Sequence, residues 1–126
     1  MRILCVDNDR DTADTLGMLL KLLGYRTRIC YDGVAALHAA EAFRPHVCIL
    51  DYKMPGMNGC ELACRLSRQP GRPPILIAAT AFGSEHMRRA TAAAGFHLHL
   101  VKPRDLETLP SVLARLEKSL AETMLD

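Results

Sequence analysis

The chain has 126 residues, 49% of them apolar and 24% charged, with no tryptophan and a formal net charge of +2. A chain of this length builds one domain, here read as 1–126, whose core needs no disulfide or zinc staple, and the apolar fraction excludes a disordered tail. The small net charge and the scatter of its basic residues exclude a nucleic-acid surface. No apolar run reaches the ~20 residues that span a bilayer. The opening segment Met1-Arg2-Ile3-Leu4-Cys5-Val6 reads directly as a strand, without the long apolar region and cleavage site of a secretory signal. A soluble cytoplasmic protein without membrane contact is expected.

Ile3-Leu4-Cys5-Val6 is a continuous apolar run, the mark of a strand covered on both faces. After the polar stretch Asp7 to Asp11, Ala13, Leu16, Leu20 and Leu23 mark one face of a helix, with Leu19 beside it and Gly24 placed to end it. Arg26 to Tyr31 alternates polar and apolar residues, as a strand near a sheet edge does. Asp32 can cap an alanine-rich helix that runs to about Phe43 and is stopped by Pro45. Val47 to Leu50 is a third strand ending at Asp51, and the loop from Lys53 to Gly59 feeds a helix that fades by Gln69. Pro70 to Pro74 is a breaker-rich connection. Ile75 to Ala79 is a fourth strand, followed by Thr80, and Ser84 can cap a helix closing at Gly95. Phe96 to Val101 reads as the fifth strand. A last amphipathic helix carries Leu109, Val112, Leu113, Leu116 and Leu120 to about Met124, its start blurred by Pro110.

Five consecutive βα units imply an α/β fold: a doubly wound, five-stranded parallel sheet with helices on both faces. Right-handed crossovers favour the flavodoxin-like order 2-1-3-4-5. Ligands of such sheets bind outside the carboxyl ends of the strands, where the strand order reverses. The residues at those ends are Asp7, Asp51, Thr80 and Lys102. Asp7 and Asp51 follow neighbouring strands, and two carboxylates so close repel unless a cation lies between them or one takes a proton. A hard divalent cation such as Mg²⁺ answers that need and keeps positions open for phosphate oxygens. With the Thr80 hydroxyl and the Lys102 ammonium beside them, the set suits phosphoryl transfer onto an aspartate.

Four segments carry a resemblance: Ile3 to Asp9, Leu50 to Gly59 (Leu-Asp-Tyr-Lys-Met-Pro-Gly-Met-Asn-Gly), Ala79-Thr80-Ala81 and Val101-Lys102-Pro103. In order and separation, over the whole chain, they resemble the receiver domains of bacterial two-component response regulators, in particular receivers attached to hybrid sensor kinases. The resemblance implies that Asp51 accepts the phosphoryl group, that Asp7 and the backbone carbonyl of Lys53 help hold Mg²⁺, that Thr80 follows the phosphoryl group and that Lys102 is its countercharge. It also implies a cis Lys102–Pro103 bond and a switch role for His99, three residues before Lys102. By the same resemblance, Phe82 and Lys53 stand at positions expected to tune water access to the phosphate. The expected donor is a histidine kinase or histidine phosphotransfer protein, and the signal passes to an output protein or domain through the surface of the fourth helix, fifth strand and fifth helix. The domain is thus a self-modifying switch more than a turnover enzyme.

One position departs from the family. Two adjacent acids usually close the first strand, and here Asn8 stands at the second, followed by Asp9. An amide oxygen still coordinates Mg²⁺, with one negative charge fewer, so metal binding is expected to be weaker. Asn8 is also the ground for the alternative, a degenerate receiver that docks a partner without being phosphorylated. A flavin carrier on the same topology is disfavoured because Asp7, Asp9 and Asp11 would repel its phosphate. The five cysteines, Cys5, Cys30, Cys48, Cys60 and Cys64, read as small core residues. The histidines show no metal-ligand spacing.

Overall fold

The computed structural model describes residues 1–125, with side chains to residue 123; Asp126, the last residue of the expected single domain, lies outside them. The strands are β1 (Arg2–Val6), β2 (Arg26–Cys30), β3 (Val47–Leu50), β4 (Ile75–Thr80) and β5 (Leu98–Val101). The helices are α1 (Arg10–Leu22), α2 (Gly33–Phe43), α3 (Gly59–Arg68), α4 (Glu85–Ala93) and α5 (Leu109–Leu125), the last preceded by a 3₁₀ turn over Arg104–Thr108. All strand pairs are parallel and the order is β2-β1-β3-β4-β5, as the alternation of elements implied.

The pleat sorts the apolar runs into two cores. Leu4, Val6, Cys48 and Leu50 face one side of the sheet and meet Leu62 and Leu66 of α3. Their neighbours Ile3, Cys5, Val47 and Ile49 face the other, against Leu16 and Leu20 of α1 and Leu109 and Leu113 of α5. Because both faces are covered, β1 and β3 are apolar at every buried position rather than alternating. The edge strand β2 does alternate. Side-chain caps start four helices: Asp9 receives Asp11 N–H, Asp32 Ala35 N–H, Asn58 Glu61 N–H and Ser84 Met87 N–H. Asn58 is a cap the sequence reading passed over.

Two details differ from expectation, the buried face of α1 and the start of β5. The buried face of α1 runs Ala13, Leu16, Gly17, Leu20, while Leu19 and Leu23 are 36% and 40% exposed. A Cβ on Gly17 would lie 2.1 Å from Ile29 Cδ1, so the helix sits tight on β2 at this point and Leu23, one residue past the last turn, turns away. The fifth strand begins at Leu98 rather than Phe96, because His97 Nδ1 takes the β4 amide of Leu76 at 2.9 Å in place of a ladder carbonyl. Pro110 falls in the first turn of α5, where its missing N–H leaves no bond unmade. The Lys102–Pro103 bond is cis, and all five cysteines are free, three of them buried. Among the described residues no helix is long and apolar enough to cross a membrane.

α5 is held through Leu109 and Leu113, both 0% exposed. Leu113→Ala is expected to cost about 2–5 kcal/mol, measured by urea unfolding, while Leu22→Ala, at an 83% exposed position, should change stability by less than ~0.5 kcal/mol.

Candidate functional site

Parallel register brings the strand ends together. Val6 pairs with Leu50 across β1 and β3, so the next residues, Asp7 and Asp51, emerge side by side at the carboxyl rim. Backbone bonds fix both: Asp7 N–H donates to Cys30 O at 3.2 Å and Asp51 N–H to Val6 O at 3.0 Å. On the far side Lys102 N–H donates to Thr80 O at 2.8 Å, which anchors the end of β5 to the end of β4.

From there the Lys102 ammonium reaches back across the rim. Its Nζ lies 2.6 Å from Asp7 Oδ2 and 3.8 Å from Asp51 Oδ1, with all three side chains largely buried. Asp7 also accepts the Asp9 amide through Oδ1 at 3.0 Å, so both of its oxygens are engaged. Asp51 is less well served. Burial pushes its carboxyl up to about 6; Lys102 opposes the shift and the Asp7 charge adds to it. One cation shared unequally between two carboxylates leaves an electron-rich corner centred on Asp51.

The other expected residues gather less tightly. Thr80 is fully buried at the same rim, its hydroxyl oxygen accepting Phe82 N–H at 3.3 Å. Asn8 is exposed between Asp7 and the α1 cap, and Asp9 is occupied by Asp11 N–H and the Thr12 hydroxyl, so it does not stand in for the missing acid. Lys53 does not turn toward the carboxylates. Its ammonium lies 4.3 Å from the centre of the Phe82 ring, a cation–π contact linking the β3–α3 and β4–α4 loops. His99 stands one layer back, with Nε2 2.7 Å from Phe82 O and Nδ1 2.9 Å from the Thr91 hydroxyl.

Two participants went unread in the sequence. Gly59 opens α3 beneath Asp51, where a Cβ would come 2.4 Å from Asp51 O and 2.8 Å from Tyr52 Cα; a glycine directly after a helix cap was the available signal. Thr91, the only α4 residue fully withdrawn from solvent, is the partner that seats His99, and nothing in its local sequence marks it.

Among the described residues no group of three or more His, Cys, Asp or Glu side chains could hold a metal. The donors at the rim are two carboxylates, supplemented by the Asn8 amide and backbone carbonyls. That set fits a hard cation such as Mg²⁺, which takes one or two protein carboxylates and completes its shell with water and phosphate oxygens. It does not fit zinc, which calls for nitrogen or sulfur ligands.

A family model described as the response regulator receiver domain matches residues 3–114. Response regulator MprA of Mycobacterium ulcerans is 37% identical over 126 residues, covering all of this chain and 53% of that protein; MprA of Mycobacterium leprae is 38% identical over 126 residues, with 54% of it covered. The chain therefore spans about half the length of the curated relatives it matches. Among solved structures, chemotaxis protein CheY4 of Vibrio cholerae superposes with a TM-score of 0.81 at 30% identity, over 91% of this chain and 97% of that one. The receiver domain of sensor histidine kinase PA1611 of Pseudomonas aeruginosa, which has a magnesium ion coordinated in its active-site cleft, gives 0.81 at 28% identity, over 91% and 95%.

The raised Asp51 group has a consequence for stability. The folded state holds this proton more tightly than the unfolded chain, whose carboxyl has the ordinary value of 3.8, so stability falls as pH rises from there through about 6 and stays lowered above. Without divalent cations, Asp51→Asn is expected to gain about 1–2 kcal/mol at pH 7.5, allowing for partial solvation. Urea unfolding of the two proteins measures it; a less stable variant contradicts the electrostatics.

Proposed function

The chain belongs to the response regulator receiver domain family, and from that membership we propose that it is a phospho-accepting switch of two-component signalling, with Asp51 as acceptor. The observation that carries the reading is the unequal sharing of the Lys102 ammonium, 2.6 Å from Asp7 and 3.8 Å from Asp51. It leaves one carboxylate structurally engaged and the other free to react. The donor is a phosphohistidine on a histidine kinase or phosphotransfer protein. An Asp51 oxygen attacks phosphorus as the P–N bond breaks; the leaving imidazole keeps the bonding pair and takes up a proton.

Asp7, Asp51, the Asn8 amide oxygen and the backbone carbonyl of Lys53 would hold Mg²⁺. When bound, the ion offsets the charge of the carboxylate pair and of the phosphoryl oxygens. Lys102, released in part from Asp7, supplies a second positive charge to the acyl phosphate. The Thr80 hydroxyl offers a hydrogen bond to a phosphoryl oxygen, at the expense of its bond from Phe82 N–H. Freeing Phe82 N–H loosens the β4–α4 loop, which His99 and Lys53 hold through the carbonyl and ring of the same residue. The change then spreads to the α4–β5–α5 surface, where an output protein or domain reads it. Chain 1–126 is on this reading one receiver domain, working in the cytoplasm.

A second reading, a receiver that binds its partner without phosphorylation, draws on Asn8 and on the short Lys102–Asp7 pair, which quiets Asp7 with no metal at all. Intact-mass measurement after exposure to phosphoramidate and Mg²⁺ separates them. Wild type is expected to gain one phosphoryl group and Asp51→Asn none; an unmodified wild type favours the second reading, and a labelled Asp51→Asn removes the acceptor assignment. The labelling rate should fall as pH drops through about 6, where Asp51 takes up its proton. Asn8→Asp is expected to tighten Mg²⁺ binding by about tenfold, the worth of ~1.4 kcal/mol from one added charge near the ion, in a direct titration. Equal affinities would exclude Asn8 from the metal site.

A further inference from the structure

The opposite rim of the sheet holds a concavity that the proposed phosphoryl chemistry leaves unused. It is a cavity of about 620 Å³ between the amino ends of β1, β3 and β4, within the range of small-molecule pockets, ~300–1,000 Å³. Leu66, Ile75 and Leu120 give it an apolar floor, and Arg2, Arg44, His46 and Arg72 surround it; Glu41 is the one carboxylate among the described lining residues.

The fold accounts for one of these cations. Arg2 Nε donates to Phe43 O at 2.8 Å and Arg44 O at 2.9 Å, closing the carboxyl end of α2. Arg44 and Arg72 have no such duty: among the described residues neither guanidinium makes a hydrogen bond or ion pair. Arg44 ends α2 in the left-handed region at φ +49°, a place that favours glycine or asparagine. Helix termination therefore does not explain an arginine there. His46 accepts Arg2 N–H through Nδ1 at 2.9 Å, which leaves an Nε2–H donor for a ligand. Its ring is held below the usual histidine range by burial and then by the charges of Arg2, the N-terminus and Arg72.

We propose that this cavity binds a phosphate monoester carried on a flat ring, the chemistry of a nucleoside monophosphate. Guanidinium forks match phosphate oxygens two at a time, and a dianion answers the two unpaired arginines. The apolar floor takes the ring, which a bare anion would leave empty. The site shares no residue with the Asp51 rim and stands independently of the phospho-accepting reading.

Titration calorimetry of the whole chain with adenosine monophosphate, adenosine and inorganic phosphate, without divalent cations, tests it. The monophosphate is expected to bind at least tenfold more tightly than either fragment. Arg44→Gly, which suits the left-handed backbone and so preserves the fold, and Arg72→Gln should each weaken binding tenfold or more, and Asp51→Asn should leave it unchanged. Failure to bind, equal affinity for adenosine or for phosphate, or indifference to both arginine substitutions would overturn the site. Loss of binding in Asp51→Asn would also overturn it, by moving the nucleotide to the other rim.

Discussion

Two carboxylates are forced into one corner by the backbone, and most of what this chain can do follows from that crowding. Parallel pairing between β1 and β3 sets Val6 against Leu50, and the residues that follow cannot avoid each other without breaking the ladder. Both side chains are largely buried, at 7% and 14% exposure, so water screens them little. A single ammonium, Lys102, is brought in from the end of β5, too close to Asp7 to serve Asp51 equally. Burial, with the Asp7 charge adding to it, makes Asp51 hold its proton, and the unbalanced carboxylate makes an added cation or an electrophilic phosphorus welcome there.

The same rim is joined to the far helix by a short relay. Thr80 holds Phe82 by its amide, His99 holds the Phe82 carbonyl and Lys53 covers the Phe82 ring. His99 in turn rests on Thr91, the single α4 residue withdrawn from solvent. α4 has little apolar surface in the core, so its seating depends on these few polar contacts more than on packing. Elements held this way are the ones that small changes at a site can move.

Much of this was legible in the order of residues. The continuous apolar runs of β1, β3 and β4 mark a sheet covered on both sides, and the topology rule then points to Asp7, Asp51, Thr80 and Lys102 at its carboxyl rim. Periodicity misjudged α1, because it put Leu23 on the core face and could not see that Gly17 lets the helix sink onto Ile29. It also extended β5 to Phe96, since an alternating pattern does not reveal that His97 spends its ring on a backbone amide. Partnerships between distant side chains, such as Thr91 with His99 or Lys53 with Phe82, depend on three-dimensional approach and leave no local trace.

The electrostatic state of Asp51 is open to direct observation by carbon-13 NMR titration of its carboxyl group, in wild type and in Lys102→Ala. Titration near 6 in wild type, moving upward when the ammonium is removed, is the expected result. A midpoint at the ordinary value of 3.8, unmoved by the loss of Lys102, would contradict the crowded-carboxylate origin of the site's reactivity.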